Sequence, residues 1–297
     1  MPFISGSFRW HCFDAVAFEV EIVVDAATIE RLDREGPALK LVRFLLKLSR
    51  ATVALVRSFF AYVSVSAWVV IFAPIGIVLA IVFNWPAVLY ALGRGGARLG
   101  LRMAGINFTV RNAHRVQRNR GVVYCANHSS NLEPPIIFMA LAGVHPKLMA
   151  LYKAELRSVL PLLRNAFDVA GFVPIERQNR EQSERALDGA VEKLVQGGSF
   201  LVFPEGTRSR TGQLLPFKKG SFIMAIKAQV PIVPVAIQGA SAAMRRGSPV
   251  IWPVTVQVTI GEPIETRGLD FDDRDHLIQQ TRGALEASLN ARVVLER

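Results

Sequence analysis

The sequence is poor in the residues that mark several protein classes. Two cysteines in 297 residues exclude a disulfide-stapled scaffold, and Cys12 and Cys125 are not spaced as a redox pair. His11, His114, His145 and His276 are scattered without metal-ligand spacing, so no resident metal is expected. Neither a Gly-x-x-x-x-Gly-Lys-Ser/Thr loop nor a Gly-x-Gly-x-x-Gly fingerprint occurs. Ser129 and Ser130 stand beside His128, but there is no Gly-x-Ser-x-Gly elbow of the serine-hydrolase kind. Acids are the minority charge, with 24 Asp and Glu against 35 Lys and Arg and a net charge of +11. Such an excess suits nucleic acid, an anionic membrane face or a small anionic substrate. Arg115, Arg118 and Arg120 form a basic turn without interleaved aromatics, so nucleic acid fits poorly. A chain that is 51% hydrophobic and only 20% charged is not a disordered one.

The charge is unevenly laid out. Residues 1–36 carry −4 and residues 37–297 carry +15. Within the acidic part, Val16, Phe18, Val20, Ile22 and Val24 alternate with other residues at a period of two, which predicts a half-buried strand. From Pro37, the bases Lys40, Arg43, Lys47, Arg50 and Arg57 fall on one helical stripe beside Leu41, Phe44, Leu45 and Leu48. That pattern suits the interface of an anionic membrane, and also the solvated face of a globular helix. Ser58 to Gly93 then holds no Asp, Glu, Lys, Arg or His in 36 residues. About 20 apolar residues suffice to span a bilayer. Pro74 is expected to divide this stretch into two arms, each roughly 24–28 Å long at 1.5 Å per residue. Basic residues flank both ends, with Arg94, Arg98 and Arg102 downstream. This favours a hairpin that enters and returns on the cytoplasmic side, over one kinked spanning helix. The expected organisation is an acidic extension over 1–36, membrane-associated helices over 37–104 and a folded domain over 105–297.

From Gly105, short apolar runs alternate with amphipathic stretches. Val122–Ala126, Leu148–Leu151, Phe172–Ile175, Phe200–Phe203, Ile232–Ile237 and Val254–Ile260 read as strands. Pro135–Leu141, Lys153–Asn165, Arg180–Val195, Phe217–Gln229 and Asp272–Leu295 read as helices. Runs such as FLVF and IVPVAI are apolar on both faces, as in buried strands covered by helices on either side. The expected fold is α/β, a largely parallel sheet flanked by helices, with an N-terminal membrane-associated helical segment.

Four blocks carry chemistry. In Asn127-His128-Ser129-Ser130-Asn131-Leu132-Glu133-Pro134-Pro135, a polar loop follows a buried strand and precedes a helix. Glu133 can accept a hydrogen bond from one imidazole nitrogen of His128, leaving the other to take a proton from a hydroxyl or thiol. The same spacing fits a loop histidine beside a helix-capping glutamate. In Phe203-Pro204-Glu205-Gly206-Thr207-Arg208, Glu205 can bond a substrate hydroxyl, Gly206 admits close backbone approach, and Arg208 can grip a phosphate. A polar turn with surface arginines fits this block as well. Val173-Pro174-Ile175-Glu176-Arg177 ends a strand and delivers Arg177 to the same edge. Lys218 adds positive potential nearby. In Val230-Pro231-Ile232-Val233-Pro234-Val235, Pro234 is expected at an edge or strand end, because proline lacks the ladder donor.

Taken together and in this order, the four blocks resemble the glycerolipid acyltransferase family over roughly residues 105–265. The stretch FPEGTRSRTGQLLPFKKGSF is especially close. The resemblance implies an αβ acyltransferase domain that moves an acyl group to the free hydroxyl of 1-acylglycerol-3-phosphate (lysophosphatidic acid). It implies His128 as general base, oriented by the acidic residue five positions on. It implies that Arg177, Glu205, Gly206, Thr207 and Arg208 hold the glycerol phosphate, and that the segment containing Pro234 serves the acyl side. No bound cofactor is implied. The co-substrate is acyl-CoA or acyl-acyl carrier protein, which makes that carrier a candidate partner alongside the membrane phospholipid surface. The implied location is the membrane, with the catalytic domain on its cytoplasmic face. One residue departs from the pattern: the family's aspartate is Glu133 here. The change leaves open another lysophospholipid as acceptor, or a lipid-binding relative without turnover. By the charge it retains, Glu133→Asp is expected to keep or improve activity.

Overall fold

The computed structural model describes residues 7–10, 18–21, 37–159, 161–176, 179–244 and 247–291. The chain forms two compact units, Met1–Val53 and Ala54–Arg297. In the first, strands β1 (Ser7–Trp10) and β2 (Phe18–Glu21) pair antiparallel. The predicted alternating strand is seen over its middle, and its other residues lie outside those described.

Helix α1 (Pro37–Val82) runs unbroken through Pro74. The chain reverses at Phe83–Pro86 and returns as α2 (Ala87–Ala104). The two helices make a hairpin in the fold, but not the one expected within residues 58–93, because the chain does not turn at Pro74. Pro74 removes one helical N–H, a loss a long helix absorbs. Asn84 adopts a left-handed φ of 49°, and Pro86 opens the next helix, so the reversal is made there. Small residues let the helices close up. The Trp68 ring lies where Cβ atoms on Gly95 and Gly96 would stand 2.5 and 2.9 Å from it, and Val65 meets Gly100 in the same way. The Trp68 indole N–H also donates to the Leu92 carbonyl at 3.0 Å.

A seven-stranded sheet follows. Its strands are β3 (Asn107–Arg111), β4 (Val122–Ala126), β5 (Leu148–Lys153), β6 (Val173–Ile175), β7 (Ser199–Val202), β8 (Ile232–Gln238) and β9 (Thr255–Ile260), in the spatial order β3-β9-β8-β4-β7-β5-β6. Neighbours run parallel except at β8–β9. Successive residues of β4 serve opposite faces. Val122, Tyr124 and Ala126 pack with Ile136, Leu141 and Val233, whereas Val123 and Cys125 pack with Phe200, Phe222 and Leu277. Helix α3 (Glu133–Ala140) covers the first face. Between β5 and β6 come α4 (Leu156–Val159) and α5 (Pro161–Val169). Helices α6 (Arg180–Val195), α7 (Gly220–Ala228) and α9 (Arg274–Asn290) cover the second face, and α8 (Ala240–Ala243) is one short turn. Burial pushes the Cys125 thiol well above its ordinary pKa, so it is a core side chain without thiolate character.

Several features of the sheet domain differ from expectation. The single helix expected over Lys153–Asn165 is two, because β5 extends to Lys153 and Pro161 starts a new helix. Strand β3 was not foreseen, since NFTVR is short and mostly polar. Pro234 lies neither on an edge strand nor at a strand end, but inside β8 between β4 and β9. The sheet tolerates it because the β8–β9 ladder stops beside it. The last ladder pair is Val235 with Ile260, and beyond the turn only the bridge of Ile232 with Ile264 remains. The missing Pro234 N–H falls in that gap, while its carbonyl accepts the Gly261 N–H at 2.8 Å.

Candidate active site

The main chain leaves the sheet at the end of β4, and one side chain makes the departure possible. Asn127 donates its amide to the Ile237 carbonyl at 3.0 Å and accepts the Ile237 N–H at 2.7 Å, extending the ladder after the backbone has turned away. The next residue, His128, is held by its own main chain. Its N–H donates to Glu205 Oε1 at 2.7 Å, and its carbonyl accepts the Ser209 N–H at 2.7 Å. Its ring stacks on Phe203 with centroids 4.2 Å apart.

His128 Nδ1 lies 2.7 Å from Glu133 Oε2. Glu133 is fully buried, which would be costly for a bare carboxylate. The loop satisfies it. The Ser129 N–H donates to both of its oxygens at 2.9 Å, and the Ser129 hydroxyl donates to Oε1 at 2.6 Å. Glu133 is also the first residue of α3, where the helix terminus favours negative charge. With a carboxylate on Nδ1, the tautomer is assigned with its proton there and the lone pair on Nε2. The His128 side chain is 18% exposed, and among the described residues no hydrogen bond occupies Nε2.

The turn after β7 adjoins this loop. Gly206 takes a φ of +68°, and a Cβ on it would stand 2.6 Å from Lys218 Cε, so the Lys218 side chain lies across the glycine. Thr207 and Lys218 are exposed and Arg208 is half-buried on the same turn. Arg177 lies outside the described residues. Glu205 differs from its expected use as a contact for a substrate hydroxyl. It is 3% exposed, and its two oxygens accept main-chain N–H groups, of His128 at 2.7 Å and of Leu215 at 2.9 Å. It ties the histidine loop to the segment after the turn.

On the apolar side is a cavity of about 540 Å³, a size usual for small-molecule sites. It reaches Leu132, Pro134 and Pro135, which flank Glu133, and is otherwise bounded by Trp68 of α1, Gly93 of α2 and Ala166 of α5, among other apolar residues. Pro234, expected on the acyl side, is not part of this lining, because its ring is buried within the sheet.

Residues 107–238 match the family model described as Acyltransferase. The chain is 28% identical over 227 residues to a 1-acyl-sn-glycerol-3-phosphate acyltransferase of Limnanthes douglasii, covering 73% of this chain and 76% of the relative. It is 33% identical over 186 residues to the human 1-acyl-sn-glycerol-3-phosphate acyltransferase beta, covering 62% and 65%. The crystal structure of the 1-acyl-sn-glycerophosphate (LPA) acyltransferase PlsC from Thermotoga maritima superposes with a TM-score of 0.64 at 25% identity, covering 83% of this chain and 99% of that one. Over residues 107–238 this chain is similar to the acyltransferases.

Two residues that position the acyltransferase site were missed by the sequence reading. Ser129 belongs to no serine-hydrolase elbow, yet it supplies donors on Glu133. Ser209 had no motif signal beyond its place after Arg208, and its N–H fixes the His128 carbonyl.

Glu205 also makes the enzyme's stability depend on pH. Burial raises its pKa above the ordinary value, against the lowering effect of the Leu215 and His128 N–H groups. The folded state then holds this proton more tightly than the unfolded chain does. Stability is fully present below the ordinary carboxylate value and is lost as pH rises through the raised one. In denaturant titrations, wild type should lose stability relative to Glu205→Gln across that window and run parallel to it above. A gap that moves the other way as pH rises would contradict the assignment.

Proposed function

We propose that this acyltransferase moves a fatty acyl group from an acyl thioester to the free hydroxyl of 1-acylglycerol-3-phosphate, giving phosphatidic acid. The observation that carries the reading is His128. Its Nδ1 is fixed by a buried carboxylate, and among the described residues no hydrogen bond occupies its Nε2. Its backbone is tied to the turn of residues 205–209, across which Lys218 lies, and Leu132, Pro134 and Pro135 on the same loop reach an apolar cavity.

In the proposed reaction, Nε2 takes the hydroxyl proton as the oxygen attacks the thioester carbonyl. The tetrahedral adduct collapses by breaking the carbon–sulfur bond, and the imidazolium returns its proton to the leaving thiolate. Glu133 stabilises the imidazolium between these steps. A positioned base of this kind contributes about 10²–10⁴-fold. Arg208 and Lys218, with Arg177, supply the charge for the substrate phosphate. The similarity to 1-acyl-sn-glycerol-3-phosphate acyltransferases favours lysophosphatidic acid as acceptor. Glu133 does not argue against it: this residue is buried behind His128, so its identity bears on the relay rather than on the acceptor's headgroup.

The acyl chain is assigned to the apolar cavity. Replacing Ala166 with phenylalanine fills part of it, and the expected result is a donor preference moved to shorter chains, with phosphate recognition unchanged. Rates across acyl-CoA chain lengths check this, and an unaltered chain profile would remove the cavity from the acyl path.

Membrane association is supported by α1. Its Leu41–Val82 portion is long and apolar enough to cross a membrane, with a mean hydropathy of 2.6 over its most apolar 18 residues. At 1.5 Å per residue it measures roughly 63 Å, against about 30 Å of hydrocarbon core. Phe59, Phe60, Val70 and Ile71 are exposed on it. Basic flanks on both sides favour the cytoplasmic leaflet.

A panel of purified enzyme with labelled acyl-CoA and acyl-acyl carrier protein, each against lysophosphatidic acid and other lysophospholipids, tests the reading. Transfer to lysophosphatidic acid above the other acceptors is expected. Preference for another lysophospholipid would replace the acceptor, and binding without turnover on any of them would replace the enzyme reading.

A further inference from the structure

We propose that Arg282, on the C-terminal helix α9, is a positioning residue for His128, acting through the segment that follows the Glu-Gly-Thr-Arg turn. Arg282 lies well beyond residue 238, where the family match ends. This inference rests on His128 being the base.

Helix α9 is anchored to the sheet by Leu277, Ile278, Thr281 and Leu285, all buried. On that fixed element Arg282 spends its guanidinium on two consecutive carbonyls. Nη1 donates to Leu215 O at 2.8 Å, and Nη2 donates to Leu214 O at 3.0 Å. Its Cζ stands 5.4 Å from the centroid of the Phe217 ring, and its Nε meets Glu286 at 2.9 Å. A planar fork gripping two carbonyls and covering a ring fixes both the position and the tilt of the segment. Lysine could not do this with one ammonium group.

The segment in turn holds the base. Leu215 offers its carbonyl to Arg282 and its N–H to Glu205 Oε2 at 2.9 Å, and the other oxygen of Glu205 accepts the His128 N–H at 2.7 Å. Arg282, Leu215, Glu205 and His128 thus form a continuous line of hydrogen bonds from a rigid helix to the backbone of the base. Without Arg282 the segment loses its outer support, Glu205 loses a fixed donor, and His128 is held less closely. Misplacement by about an ångström near reacting groups can cost around 100-fold in rate.

The experiment compares Arg282→Ala, Arg282→Lys, Glu286→Gln, Glu205→Gln and the double variant Arg282→Ala/Glu205→Gln in the full-length protein, with His128→Ala as control. The probes are acyl-CoA and lysophosphatidic acid. Arg282→Ala should lower kcat by roughly tenfold or more, with KM for acyl-CoA little changed. Arg282→Lys should fall between it and wild type, and it still reads the loss of the second carbonyl bond if the alanine variant does not fold. Glu286→Gln should match wild type, because it removes only the ion pair. In the double variant, Arg282→Ala should add little to Glu205→Gln, since both act on one line. Wild-type kcat in folded Arg282→Ala or Arg282→Lys, or losses that simply multiply in the double variant, would overturn the proposal. If His128→Ala itself keeps transferring, the base assignment fails, and that result is separate from a failure of Arg282 alone.

Discussion

His128→Ala is expected to cut acyl transfer by about 10³-fold while the protein remains folded. The loop around the histidine is held mainly by backbone: the N–H of residue 128 bonds Glu205, its carbonyl accepts from Ser209, and Ser129 still holds Glu133. None of these bonds needs the imidazole. The loss should therefore appear in kcat, with the binding of both substrates near normal, because the cavity and the Arg208–Lys218 turn are untouched. Initial rates at saturating acyl-CoA and lysophosphatidic acid, beside a thermal melt, check both halves. A rate within tenfold of wild type would remove His128 from the chemistry.

Glu133→Gln should be nearly as damaging, lowering the rate by about 10²–10³-fold, less than the largest losses known for a base left in the wrong tautomer. The glutamine has the right shape but carries an NH₂ where an acceptor is required. The carboxylate serves three donors at once: His128 Nδ1, the Ser129 N–H and the Ser129 hydroxyl. One of them must then face another donor. If that one is the imidazole, its proton moves to Nε2 and the base is lost. Glu133→Asp keeps the charge but withdraws the carboxylate by one methylene from a site fitted around it. Loss of roughly tenfold is expected from such a displacement. This expected order is the opposite of the one read from the sequence, in which aspartate would serve as well or better. The order wild type, aspartate, glutamine in falling kcat checks this, and aspartate faster than wild type would contradict it.

Much of the fold could be read from patterns of one kind. Strands apolar on both faces, such as VVYCA and IVPVAI, had to be buried between helices, and β4 and β8 sit at the centre of the sheet. Strand β3 escaped because NFTVR has neither an apolar run nor a clean alternation. The helical turn was misread because proline dominates sequence arguments. The chain reverses at Asn84–Trp85–Pro86, where a left-handed asparagine and a helix-opening proline meet, and passes Pro74 inside a helix.

The site was legible where one residue acts on its neighbours in sequence. The spacing of His128 and Glu133 brings the two together in space. It was not legible where the partner is main chain. Nothing in the residue type of Glu205 reveals that both its oxygens serve backbone N–H groups, one of them 77 residues away. Arg282 was equally invisible, because its targets are two carbonyls reached across the fold.

In the proposed reaction the acyl group passes directly to a lysophosphatidic acid hydroxyl at His128. Product analysis by mass spectrometry, with purified enzyme and acyl-CoA in the presence and absence of lysophosphatidic acid, tests it most directly. Phosphatidic acid is expected only when both substrates are present, with no acylated protein and no free fatty acid above background. Free fatty acid released without the acceptor, or an acyl group found on the protein, would contradict it.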